Sequence, residues 1–234
     1  MGLPIQNAPK FKCRLSDGRE VTFRPFLVKE QKYLLIAKES SDNNEILDAV
    51  KNLVNAVTDG AVDTMTLPIY DLEYLFLNIR AKSVGESVDV SFYCGEEGCE
   101  GTGTTKVDLT SVEIVKPSEV DSKIMLSETL GVTLKFPNTS ELAKAESMTD
   151  ENEKLIELLM KGIDTIFDEE SVYNTSEIPD SELREFVENL TLEQLDGLNE
   201  FFESLPSVAK DVKYKCDTCG AVNETTLKGL QSFF

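Results

Sequence analysis

The fold class this sequence predicts is α+β, and three observations predict it. Apolar and polar residues alternate over 10–26 around an Asp-Gly pair, the pattern of a β-hairpin. Over 29–81 and again over 138–205, apolar residues recur at helical spacing. Four of the five cysteines fall into two close pairs, Cys94 with Cys99 and Cys216 with Cys219, each behind a short β-type run. The expected architecture is therefore an N-terminal β-hairpin, amphipathic helices and small antiparallel sheets, joined by a four-cysteine site that resembles a zinc ribbon.

The pattern divides the chain into four stretches. In the first, 1–86, the hairpin carries Phe11, Cys13 and Leu15 on one face, turns at Ser16-Asp17-Gly18-Arg19 and returns through Val21 and Phe23. After Pro25, spacing predicts amphipathic helices over 29–39 and 43–57, with Ser41-Asp42-Asn43-Asn44 supplying the turn and the N-cap. A third helix over 67–81 is opened by Pro68 and buries Ile69, Leu72, Leu75, Phe76 and Ile79. The second stretch, 87–116, holds a strand over 88–93, the first cysteine pair, a turn at Gly101-Thr102-Gly103-Thr104-Thr105 and a return strand over 106–109.

The third stretch, 117–205, starts with a hairpin of 124–126 and 132–136 that Pro137 ends. Asn138-Thr139-Ser140-Glu141 caps a short helix, and Thr149-Asp150-Glu151 opens another that runs to about Lys161. Short strands over 163–167 and 171–173 flank the acidic turn Asp168-Glu169-Glu170. Helices over 179–190 and 191–205 follow, the second with the stripe Leu192, Leu195, Leu198 and Phe202. The fourth stretch, 206–234, comprises a strand over 211–215, the second cysteine pair, a return strand over 222–227 and an apolar tail with Leu230, Phe233 and Phe234. Large apolar groups in such a tail either pack on their own domain or serve as a peg for a neighbouring protein.

Cysteines two to four residues apart can bend around one Zn²⁺ at about 2.3 Å per Zn–S bond, and two such pairs complete a closed shell. Cys216-Asp217-Thr218-Cys219-Gly220 has the tight spacing with a trailing glycine; Cys94-Gly95-Glu96-Glu97-Gly98-Cys99 is wider, and its glutamates suit a bound cation. Cys94, Cys99, Cys216 and Cys219 are accordingly the expected ligands of one structural Zn²⁺, set against free thiols, disulfides or a redox pair at Cys216 and Cys219. Cys13, alone in an alternating run, reads as a core thiol.

The 234 residues carry 43 Asp and Glu against 23 Lys and Arg, a formal net charge of −20, and no histidine. That balance argues against phosphate-backbone binding and suits a basic protein partner. Without histidine, triads built on it are excluded. Asp168-Glu169-Glu170 and Asp150-Glu151 lack calcium-loop spacing and read as solvated turns, and Arg80 and Lys82 suit the end of a helix. No apolar run approaches a membrane span, the first residues lack the features of a signal peptide, and Gln6 does not fit a myristoylation motif, so a cytosolic location with reduced thiols is expected.

The hairpin followed by helices, the segment from Leu67 to Glu86 (LPIYDLEYLFLNIRAKSVGE), the paired cysteines and the closing Leu227-Lys228-Gly229-Leu230-Gln231-Ser232-Phe233-Phe234 resemble the T4-type bacteriophage baseplate hub and hub-assembly protein family over nearly the whole chain. The resemblance implies a structural or assembly protein of a contractile tail's baseplate hub, not an enzyme. Its partners would be other hub proteins in a hetero-oligomeric assembly, without nucleic acid or membrane. It would act in the host cytoplasm during assembly, with the virion baseplate as its other location. On this reading Leu230, Phe233 and Phe234 are candidate partner-binding residues. Two alternatives stand beside it: a nucleic-acid-binding zinc ribbon, and a thiol redox enzyme using Cys216 and Cys219.

Overall fold

A computed structural model describes residues 8–40, 42–115 and 121–233. In chain order the elements are β1 (Phe11–Arg14), β2 (Glu20–Phe23), α1 (Gln31–Glu39), α2 (Asn43–Val57), α3 (Ile69–Ser83), β3 (Ser87–Tyr93), β4 (Thr102–Asp108) and β5 (Glu113–Val115). They continue as β6 (Lys123–Met125), β7 (Gly131–Leu134), α4 (Thr139–Glu146), α5 (Glu151–Gly162), β8 (Ile163–Phe167) and β9 (Val172–Asn174). The last are α6 (Asp180–Glu188), α7 (Leu192–Glu203), β10 (Ser207–Lys215) and β11 (Val222–Lys228). The fold is thus α+β with small antiparallel sheets, as the sequence predicts.

Two compact units share these elements. One comprises Met1–Val115 with Ser207–Phe234, the other Lys116–Pro206. The second unit is an insertion: the chain leaves the first after Val115 and re-enters it at Ser207, and these two residues are register partners in β5 and β10. Apart from edge residues, the stretches 1–86, 87–116 and 206–234 fall in the first unit and 117–205 in the second.

The first unit is built around α3. Apolar residues on more than one face of this helix are covered by the rest of the unit, and Leu72, Leu75, Phe76, Leu77 and Ile79 are all completely buried. The β1–β2 hairpin is antiparallel with Phe11 opposite Phe23. Its turn is fastened to the first turn of α3, where the buried Asp71 accepts hydrogen bonds from the Ser16 amide (2.9 Å) and hydroxyl (2.7 Å). Arg24, just past the hairpin, donates to both carboxylate oxygens of the buried Glu30 at 2.9 and 2.8 Å and to the Ala56 carbonyl at 2.9 Å, tying β2 to α2. Those Arg24 bonds hold the Glu30 carboxyl below its ordinary pKa against the cost of burial. Three strands in the order β11-β10-β5 and the β3–β4 hairpin complete the unit.

The C-terminal 3₁₀ turn Leu230–Phe233 packs back on α3, with Leu230 buried and Phe233 at 0 % exposure in the same core cluster. Of the two roles the sequence leaves open for the tail, self-packing is the one this geometry matches for Leu230 and Phe233; to serve as a peg they would first have to leave the core. Phe234 lies outside the described residues. The Leu230 amide donates to Glu73 of α3 at 3.2 Å, and burial pushes the Glu73 carboxyl up to about 7.

The second unit is a four-stranded antiparallel sheet, order β6-β7-β8-β9, with α4 to α7. Val132, Ile163 and Leu198 are completely buried in its core. Asn138 and Glu141 form a reciprocal capping box on α4, Thr191 and Gln194 one on α7, and Asp150 caps α5.

Several expectations are corrected. The Gly-Thr run 101–105 is not a turn: Thr102 to Thr105 belong to β4, which pairs with β3 from Thr102 opposite Tyr93 onward. The third helix begins two residues later than predicted, after Pro68 as its N-cap, and the 29–39 segment begins as a 3₁₀ turn before α1. The 132–136 strand stops at Leu134, because the Lys135 amide turns to the Gly162 carbonyl. Leu192 is 80 % exposed, and Phe201, which the predicted stripe did not name, is buried in the core, whereas Phe202 is only partly buried against it.

Truncating Phe233 to Ala should cost about 3–5 kcal/mol by opening a core cavity, whereas Leu192→Ala should change stability by less than about 0.5 kcal/mol; urea denaturation compares them. For Glu73, the folded carboxyl titrates above its ordinary 4.5, so the folded state binds the extra proton and stability falls as pH rises from 4.5 to about 7. Glu73→Gln should flatten that fall and stabilise the protein at pH 8 by up to about 3 kcal/mol, read from melting curves across pH.

Candidate metal centre

Two hairpins carry the four cysteines to one place. β3 ends at Tyr93, and the chain turns through Cys94 to Cys99 before β4 begins. The Cys94 amide donates to the Gly101 carbonyl (2.8 Å) and the Cys99 amide to the Glu96 carbonyl (3.1 Å), which closes the loop. Gly98 makes this turn possible at φ +78°, a left-handed conformation that a side chain would strain. In the second hairpin, the Cys216 amide donates to the Ala221 carbonyl (2.9 Å) and the Gly220 amide to the Cys216 carbonyl (3.0 Å), with Gly220 at φ +77°.

The two knuckles are held together by contacts other than sulfur. The Asp217 amide donates to the Thr102 carbonyl at 2.9 Å. The Tyr214 hydroxyl donates to the Tyr93 carbonyl at 2.6 Å, and the Tyr214 ring stacks on Phe92 at 4.8 Å between centroids. Asn223 in β11 accepts from the Gly95 amide at 3.0 Å and turns its own amide to the Cys94 sulfur at 3.7 Å. The approach is so close that a Cβ on Gly103 would lie 2.3 Å from the Lys215 carbonyl oxygen, and one on Gly101 would lie 2.7 Å from the Cys216 sulfur. Glycine at 103 therefore serves contact between two backbones, and glycine at 101 leaves room for the Thr218 and Cys216 side chains.

All four predicted ligands are brought together. Cys94 Sγ lies 3.6 Å from Cys219 Sγ, Cys99 Sγ lies 3.8 Å from Cys216 Sγ, and the four sulfurs are all within 4.8 Å of one another. A tetrahedron with metal–sulfur bonds of about 2.3 Å has edges of about 3.8 Å, so the set fits a four-thiolate metal. Disulfide sulfurs would be about 2.0 Å apart, and these two close pairs run between the knuckles. Cys216 is buried, Cys94 and Cys99 are half-buried and Cys219 is exposed.

The protons are unevenly placed. Hydrogen bonds from the Cys219 and Thr218 amides draw the Cys216 thiol down to about 6. The Ala221 amide acts in the same sense on Cys219, but local desolvation and the sulfurs of Cys99, Cys216 and Cys94 override it and push that thiol up to about 12. One thiolate is thus favoured at neutral pH, and crowding discourages ionisation of Cys99 and Cys219 until a cation arrives. Cys13 stays apart in β1, buried, with its thiol raised to about 12 by burial and by Asp71. Sequence reasoning missed the supporting Asn223, Tyr214, Gly101 and Gly103; the alternating Gly-Thr pattern of β4 is the signal that could have revealed the two glycines.

Gly103→Ala should separate the knuckles and cost about 1–3 kcal/mol. Faster labelling of the four thiols by a maleimide in the folded protein, beyond that seen with Thr105→Ala in the same strand, would be the readout.

With this geometry in place, comparison with known proteins gives one family: the model described as T4 bacteriophage base plate protein matches residues 8–234. No curated protein and no solved structure matches the chain.

Proposed function

The chain belongs to the T4 bacteriophage base plate protein family, and from that premise we propose that it builds or helps to assemble the baseplate hub of a contractile tail, through contacts with other hub proteins, with Cys94, Cys99, Cys216 and Cys219 holding one structural Zn²⁺. Membership itself makes this a phage baseplate protein, associated with the virion tail. The metal part of this reading is supported by one observation: the four sulfurs, drawn from parts of the chain more than a hundred residues apart, lie within 4.8 Å of one another.

Zinc would act here as a fastener. Four thiolates fill its shell and leave no position for a reacting water. Metal affinity in such a site is folding free energy, on the order of 10 kcal/mol in small zinc peptides, and here it would be spent on joining β3–β4 to β10–β11. Among the described residues no helix is long and apolar enough to cross a membrane.

The alternatives have less support. For a nucleic-acid-binding ribbon, the lysines near the knuckles are few: Lys106 pairs with Asp89, Lys213 with Glu224, and Lys210 donates to the Ser111 carbonyl, which leaves the exposed Lys215 and Lys228. For a redox pair at Cys216 and Cys219, the lowered Cys216 thiol suits the chemistry. The strand β11 then follows the motif where a thioredoxin-like site would place a helix.

Cys216→Ser should lose bound metal and lower the melting temperature of β10 and β11, whereas Cys13→Ser should keep its metal. Equal metal loss in both variants would refute the ligand set. Co-expression with the other tail proteins of the same phage should recover the chain in a complex, and its persistent isolation would contradict the hub role.

A further inference from the structure

The acidic charge of this protein is concentrated in the inserted unit. By sequence, residues 116–206 carry 22 Asp and Glu against seven Lys and Arg, a formal net of −15 out of the chain's −20. Within it, residues 180–203 hold eight Asp or Glu and a single basic group, Arg184. Arg184 is already engaged by Glu153 and Glu188.

A groove of about 500 Å³ lies along this acidic surface, between α6, the start of α7 and the β6–β7 turn. On α6, Leu183 and Val187 face the core, so the neighbouring helical face, with Glu182, Glu185 and Phe186, lines the groove. Leu126, Leu130 and Leu190 complete its apolar floor. Glu182 and Glu185 are exposed at the rim, and among the described residues neither has an ion-pair partner. Leu192, 80 % exposed, follows just after Leu190.

The walls are fixed before anything binds. The Leu126 amide donates to the Leu130 carbonyl at 2.8 Å, and the Ser127 hydroxyl caps the turn by accepting from the Leu130 amide at 3.1 Å. Gln194 then donates to the Leu126 carbonyl at 2.8 Å, fastening that turn to α7. A preformed apolar floor with a desolvatable acidic rim lowers the cost of binding and selects for charge.

We propose that this groove docks a basic amphipathic segment of a partner protein, its apolar side chains between Phe186 and Leu130 and its Lys or Arg side chains on Glu182 and Glu185. The assignment rests on the reading of the chain as an interaction protein and names the partner's chemistry. A second copy of this chain would bring −15 against −15 and is the wrong occupant; a nucleic acid is excluded by the same sign.

The test titrates the full chain with a helical leucine–lysine amphipathic peptide and with its serine–lysine counterpart, at matched salt. The leucine–lysine peptide should bind and protect the β6–β7 turn and α6 from hydrogen exchange. The double variant Glu182→Gln with Glu185→Gln, exposed and tolerable to the fold, should weaken it about tenfold. Glu169→Gln with Glu170→Gln, an equally acidic exposed turn, should leave it unchanged, and the serine–lysine peptide should bind at least about tenfold more weakly. Equal weakening by both double variants, equal binding of both peptides, protection elsewhere, or no binding would each overturn the groove. Because co-expression with tail proteins is read separately, a groove variant that still enters the complex would sink this assignment while leaving the baseplate reading standing.

Discussion

The first unit depends on the close approach of two backbones that are far apart in sequence. β4 passes so near β10 that no side chain fits at Gly103, where a Cβ would stand 2.3 Å from the Lys215 carbonyl. Only after that approach do the sulfurs reach tetrahedral spacing, with 3.6 and 3.8 Å edges between knuckles. Loop closure over such a separation costs entropy, and the Tyr214 and Asp217 hydrogen bonds offset part of it. A cation shared by four thiolates would add the rest, and would relieve the crowding that raises Cys219.

The same closure explains where the insertion sits. Since β10 must lie beside both β4 and β5, the chain can depart after Val115 and return at Ser207 with its ends already paired. The inserted unit builds its own core, centred on Val132, Ile163 and Leu198, without drawing on α3. Structural fastening and acidic surface therefore fall in different units of the molecule: the sulfurs in one, −15 of the charge in the other.

Much of this was legible from local chemistry. Asp42 as cap and a stripe of apolar residues mark α2 over Asn43–Val57, and the structure has those same bounds. The cysteine quartet was readable because metal chemistry restricts spacing. The Gly-Thr run misleads because glycine marks both turns and close backbone contacts, and the difference lies in a strand over a hundred residues away. Leu192 misleads for a related reason: helical periodicity identifies a face, but the first turn of α7 projects past the core that would cover it. Asp71 and Glu30 were invisible as structural residues, since their partners Ser16 and Arg24 are chosen by tertiary packing. An apolar tail likewise does not say whose core it joins; Phe233 is buried in its own.

The most direct test of the central claim is elemental mass spectrometry of the chain purified without added zinc, paired with native mass. The account predicts about one zinc per chain, lost on denaturation. A metal-free native protein whose paired cysteines are oxidised would contradict it.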